Sequence, residues 1–150
     1  MPHSYVVNYV HYIFSTKERV RILTPEVRDR LWPYMCGIAK EHKIQVVKIG
    51  CVEDHVHILV NLPSTLTISK AVQLIKGSSS TWARRELPVK QRFGWQEGYG
   101  AFGVSVSLIA KTTKYIENQE DHHRLRTFQE EFLEFLKKHK VRYDERYIWD

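Results

Sequence analysis

The chain has 150 residues, 43% hydrophobic and 27% charged, with a net charge of +6 and a sequence pI of about 9.3. That is one ordinary globular domain, large enough for a core of its own. No apolar run approaches the ~20 residues of a membrane span, which excludes an integral membrane protein built of helices. Met1-Pro2-His3-Ser4 lacks a charged region followed by an apolar run, which excludes a signal peptide. The basic excess points to a polyanionic partner. The two cysteines, Cys36 and Cys51, form no C-x-x-C pair and read as reduced thiols of a cytoplasmic protein.

Tyr5 to Ser15 is rich in Tyr, Val, Ile and Phe and is expected to be the first strand. A polar, basic loop follows, in which Lys17, Arg19 and Arg21 are candidate phosphate contacts. Thr24-Pro25-Glu26 reads as a helix start, with a capping residue, a proline in the first turn and an acid near the positive helix end. Apolar Val27, Leu31, Tyr34, Met35 and Ile38 keep helical spacing to about His42, and Pro33 predicts a kink or break. Ile44 to Gly50 reads as the second strand. Glu53 and Asp54 make a turn into the third strand, Cys51 to Leu62.

Thr67 to about Glu86 carries Ile68, Val72, Leu74, Ile75 and Trp82 and reads as a second helix. Gly77-Ser78-Ser79-Ser80 is a weak patch in it, suited to close backbone approach. Trp82 is either a core residue or a surface on which a base stacks. Lys76, Arg84 and Arg85 are further DNA-binding candidates, with Lys90 and Arg92 beyond the helix end. Trp95 to Val106 is expected as a fourth strand, its three glycines marking a bulge or a close contact. Ser105 or Ser107 caps the next helix, which runs to about His122. Phe128, Phe132, Phe135 and Leu136 make a last amphipathic helix, and Tyr147 and Trp149 are expected to tie down the tail. The order β-α-β-β-α-β with helices appended is an α+β, ferredoxin-like arrangement with an antiparallel sheet.

Chemistry enters with Glu53-Asp54-His55-Val56-His57-Ile58-Leu59-Val60. Side chains two apart on a strand share a face, so His55 and His57 stand together, opposite Val56, Ile58 and Val60. Two neutral imidazoles on a rigid strand are half of a divalent-metal site; a plain polar strand face is the simpler alternative. In Tyr115-Ile116-Glu117-Asn118-Gln119 a phenol and an amide are four residues apart, on one helical face. Two histidines, an amide oxygen and a phenol are the parts for metal-assisted attack on a phosphodiester. His55, His57 and Gln119 are the candidate metal ligands and Tyr115 the candidate nucleophile. No base is evident for Tyr115; water, the metal, Glu117, His122 and His123 are open alternatives.

The pair of motifs, His-Val-His on a strand and Tyr-x-x-x-Gln on a later helix, resembles the single-tyrosine HUH transposases of bacterial insertion sequences (the IS200-like family) and the REP-associated tyrosine transposases. The resemblance spans nearly all of residues 1–150 as one domain, with a core at about 4–106, a tyrosine helix at about 107–122, and a helix and tail at about 127–150. It implies cleavage and rejoining of single-stranded DNA at hairpin-flanked ends through a 5′-phosphotyrosine link, with Mg²⁺ or Mn²⁺. It also implies a homodimer acting in the bacterial cytosol at the nucleoid, with the tyrosine helix acting in cis or in trans. A domesticated hairpin-binding protein without transposition is the alternative. Histidine-triad hydrolases and H-x-H-x-D-H metallohydrolases are excluded, because Leu59 and Val60 stand where those motifs need His or Asp. Rolling-circle initiators and relaxases often carry a third histidine and further domains.

Overall fold

A computed structural model of the chain describes residues 3–88, 92–119 and 126–150. Four strands, β1 (Tyr9–Ser15), β2 (Gln45–Cys51), β3 (His55–Asn61) and β4 (Gly100–Gly103), alternate with α1 (Pro25–Glu41) and α2 (Ile68–Glu86). Two further helices follow, α3 (Ile109–Glu117) and α4 (Phe128–Lys138). The sheet is antiparallel throughout in the order β2-β3-β1-β4, as the ferredoxin-like reading expected. Among the described residues no helix is long and apolar enough to cross a membrane.

Alternation along the strands sorts the two faces. Tyr12 and Phe14 of β1 and Val56, Ile58 and Val60 of β3 face α1 and α2, joining Leu31, Met35, Val72 and Ile75 in the larger core. The opposite face carries Ile13 and Phe102 with Phe128, Phe132 and Leu136 of α4 in a second cluster. The aromatic stripe of α4 is therefore core. Thr127 fixes where α4 starts, through a reciprocal capping box with Glu130.

Several boundaries differ from the sequence reading. β1 begins at Tyr9 rather than Tyr5, because its partner β3 ends at Asn61, opposite Tyr9. Tyr5 is 93% exposed. α1 continues through Pro33 as one helix; the proline is exposed, on the side facing water. The fourth strand shrinks to four residues, with Trp95 held apart in a single bridge to Thr16. Gly100 marks the expected close contact, since a Cβ there would meet the Phe132 ring at 2.7 Å. α3 starts at Ile109, after a 3-10 turn (Val106–Leu108) that follows Ser105. In the tail, Trp149 packs against Phe128 and Phe132, whereas Tyr147 is 66% exposed and its ring meets the neighbouring Arg146 guanidinium. Cys36 and Cys51 are both free thiols; Cys51 accepts the Trp32 indole N–H (2.7 Å), and burial pushes its thiol up to about 12.

Candidate active site

The hairpin turn at Glu53-Asp54 delivers His55 and His57 to the face covered by α3 and α4, where both are 0% exposed. Each imidazole is oriented from behind. His55 Nδ1 lies 2.7 Å from Asp54 Oδ1, and His57 Nδ1 lies 2.8 Å from Nε2 of His11 on the neighbouring strand. Burial, then the nearby His57, keep His11 neutral by lowering its pKa well below the usual range. A neutral His11 can accept from His57 Nδ1–H, and Asp54 can accept from His55 Nδ1–H. With an ion bound, both Nε2 lone pairs would then be directed inward. Burial disfavours a charged His55, but its hydrogen bonds to Asp54 and Glu131 outweigh this and raise its pKa.

Glu131, wholly buried on α4, completes this centre: its Oε1 lies 3.2 Å from His55 Nε2 and 2.9 Å from His57 Nε2. Ligand atoms ~2.1 Å from one ion and at right angles to each other sit about 3 Å apart. The spacing and the directed lone pairs fit a divalent ion held by His55, His57 and Glu131, which come together as a candidate triad. The sequence reading missed Glu131. Its signal was an acid on the apolar face of a helix, three residues after Phe128 and four before Phe135. His11 was missed similarly; it is in phase with Ile13 on β1.

Tyr115 lies beside this centre in the same chain, its ring 5.9 Å from that of His57. Its hydroxyl donates to Glu131 Oε2 and accepts from Arg126 Nη2 at 2.6 Å. Burial, and then the Glu131 charge, push the phenol's pKa up, while Arg126 pulls it down. Arg126 also pairs with Glu134. α3 reaches this position by packing on β2 at Gly50, where a Cβ would meet the Ile116 carbonyl oxygen at 2.6 Å. Gly50→Ala is expected to push α3 outward, lowering stability by about 1–3 kcal/mol, read as a fall in the urea midpoint.

Gln119 is buried at 2% exposure, and its Nε2 donates to the Tyr115 carbonyl at 3.2 Å. Of the suggested bases, Glu117 is exposed and pairs with Lys48 at 3.2 Å. His122 and His123, like Lys90 of the basic cluster, lie outside the described residues.

The basic candidates divide. The loop carrying Lys17, Arg19 and Arg21 starts just beyond Ser15, which pairs with His55, so it lies at the histidine end of the sheet. Lys17 and Arg21 are exposed, and the Arg19 guanidinium lies 5.9 Å over the Trp149 ring. Arg84 joins this end: its Nη1 donates to the Phe93 carbonyl, next to Gly94, whose carbonyl accepts the Lys17 N–H. Arg85 pairs with Glu86. Lys76 donates its ammonium to the carbonyls of Gln96, Glu97 and Gly98, and burial draws its pKa down to about 8. Trp82 stacks on Tyr34 (4.6 Å, 11°), the core alternative.

A buried histidine pair, a carboxylate and a tyrosine on a ferredoxin-like sheet have the parts for phosphodiester chemistry. Residues 4–119 match the family "Transposase IS200 like", and the chain belongs to this family of transposases, which are DNA-processing enzymes. The ISDra2 transposase TnpA of Deinococcus radiodurans is 33% identical over 119 residues, covering 74% of this chain and 83% of that protein. The transposase of insertion sequence element IS200 from Salmonella typhimurium is 22% identical over 120 residues, 77% of this chain and 78% of its own. A crystallised Deinococcus radiodurans R1 chain described as a transposase aligns with a TM-score of 0.64 at 30% identity, over 79% of this chain and 96% of that one. The structure of a REP-associated tyrosine transposase bound to a REP hairpin aligns at 0.61 and 14% identity, over 82% and 73%. The last likeness is one of fold.

Proposed function

We propose that the protein is a metal-dependent tyrosine DNA strand transferase that cleaves and rejoins single-stranded DNA beside hairpins. One observation carries the reading: the Tyr115 hydroxyl and the inward nitrogens of His55 and His57 converge on the two oxygens of the Glu131 carboxylate. His55, His57 and Glu131 would hold the divalent ion, Mg²⁺ or Mn²⁺, and Gln119 is a further oxygen donor at the end of the tyrosine helix. A bound ion would polarise the non-bridging oxygens of the phosphodiester. Tyr115 Oη attacks phosphorus, its proton passing to Glu131 Oε2. The bond between phosphorus and the 3′ oxygen breaks, and that oxygen takes a proton from water as it leaves as a 3′-hydroxyl. The 5′-phosphotyrosine keeps the bond energy, so rejoining needs no ATP. Arg126 faces the phenol oxygen and stabilises the phenoxide when it leaves in the reverse step.

Hairpin recognition rests on the REP-hairpin complex of the structural neighbour and on the basic loop with Lys17, Arg19, Arg21 and Arg84. Lys76 and Arg85 complete the proposed DNA contacts. A homodimer belongs to the same reading, supported by the family and by β2 standing at the sheet edge. The protein works in the cytosol, where its DNA is.

The test is a labelled single-stranded hairpin from the DNA flanking its own gene, incubated with Mn²⁺ or with EDTA. The expected result is a protein–DNA adduct on a denaturing gel with Mn²⁺ alone, its mass mapping to the peptide that carries Tyr115. A second reading, a hairpin-binding protein without strand transfer, is favoured by one fact: the 0% exposure of both histidines under α4. Hairpin binding with no adduct would select it.

A further inference from the structure

Next to the phenol of Tyr115 the surface is hollowed into a cleft of about 330 Å³, between the end of β4, α3 and α4. That is at the lower end of the ~300–1,000 Å³ in which small ligands are held. One wall is aromatic. The His139 ring lies 4.4 Å from that of Phe102 and is nearly parallel to Phe135 (9°) at 6.1 Å. His139 Nδ1 lies 2.8 Å from the Phe135 carbonyl oxygen, which holds the ring in place. Three cations, Lys111 from α3, Lys138 from α4, and Arg126, stand among apolar Val104 and Leu108 on the other walls. Among the described residues the only acid lining the cleft is Glu134, and it is paired with Arg126. Lys111 and Lys138 are exposed, and no ion pair engages either among the described residues. At the rim, a Cβ built on Gly103 meets nothing within 4 Å, so the mouth is open there.

Aromatic faces combined with cations are how proteins hold single-stranded nucleic acid, the rings taking bases and the cations phosphates. A dry apolar groove would not need two lysines that make no ion pair among the described residues, and a purely electrostatic patch would not need the stacked rings of Phe135 and His139. We propose that this cleft binds the single-stranded deoxynucleotide next to the phosphate that Tyr115 attacks, its base against Phe135 and His139 and its phosphate between Lys111 and Lys138. The inference rests on the strand-transfer reading, and it adds a positioning site outside the hairpin. The cleft ends at Tyr115, so a nucleotide seated in it is connected to the reacting phosphorus and holds the strand in line.

The experiment measures binding in EDTA for three labelled oligonucleotides: the bare hairpin, and the same hairpin with a short single-stranded flank on its 5′ or its 3′ side. With the unsubstituted protein, one flank is expected to tighten binding about 5- to 150-fold, the range that stacking one base supplies. Lys111→Ala/Lys138→Ala, two exposed positions that leave folding intact, should lose this gain and bind the bare hairpin as before. Its salt slope for the flanked strand should fall by about 0.7, the share of the one phosphate that the two lysines no longer neutralise. His139→Ala should lose the gain without changing the salt slope. A flank gain that survives in both variants would overturn the inference while the strand-transfer reading stands. No flank gain with the unsubstituted protein, alongside normal adduct formation, would overturn it equally. No hairpin binding and no adduct would remove both.

Discussion

Tyr115→Phe is expected to bind hairpin DNA as tightly as the parent and to form no covalent adduct. The substitution deletes one oxygen and keeps the ring, so the contacts with His57 (5.9 Å) and Phe135 (5.7 Å) remain. What goes is the nucleophile, and removing a nucleophile costs on the order of 10⁴- to 10⁶-fold in rate. The hydroxyl also bridges Glu131 and Arg126, two charged side chains that are 3.9 Å apart. Hydrogen bonds to charged groups contribute about 1.5–3 kcal/mol each. Those two side chains can turn to each other once the bridge is gone, so the melting temperature should fall by only a few degrees. Gel electrophoresis after Mn²⁺ incubation reads the first effect and calorimetry the second. An undiminished adduct in the variant would mean that another side chain carries the DNA.

The second large effect concerns the metal. Titrated with Mn²⁺ in the absence of DNA, Glu131→Ala should bind at least 10- to 100-fold more weakly than the parent, the loss that even an outer partner of a ligand can cause. Gln119→Ala should lose less. The reason is position: Glu131 Oε1 is the atom lying 3.2 and 2.9 Å from the two inward nitrogens. The reverse order, with Gln119→Ala the weaker binder, would make Gln119 the third ligand, as the sequence reading expected. Glu131 would then be a cover over the histidines rather than a ligand. Isothermal titration distinguishes the two outcomes without any measurement of activity.

Local patterns made the fold readable. Alternation set the faces of the third strand, Thr24 announced α1 as its cap, and Thr67 marked the start of α2; Thr67 and Thr127 turn out to cap α2 and α4 in the same way. The histidine pair and Tyr115 were readable for the same reason, since two- and four-residue spacings are local. The rest of the site is assembled over long separations that a single sequence does not encode. His11 meets His57 across 46 residues and Glu131 meets His57 across 74. Both are polar residues on otherwise apolar faces, a pattern that signals burial without naming the partner. β4 was overread because a run of aromatic and β-branched residues looked continuous. Gly100 is pressed against Phe132 and Phe102, and only four residues stay paired.

From His11 through His57, Glu131, Tyr115 and Arg126 to Glu134, each polar group holds the next, from the middle of the sheet to the surface. Such a chain constrains how the sequence can drift. A change at one link leaves a neighbour unsatisfied, so isolated substitutions are penalised and tolerated ones arrive in compensating pairs. His11 and Arg126, on either side of Glu131, each grip a residue that grips it. Their effects on stability should therefore be epistatic, with a coupling of about 0.5–3 kcal/mol in a double-mutant cycle, where independent sites would simply add.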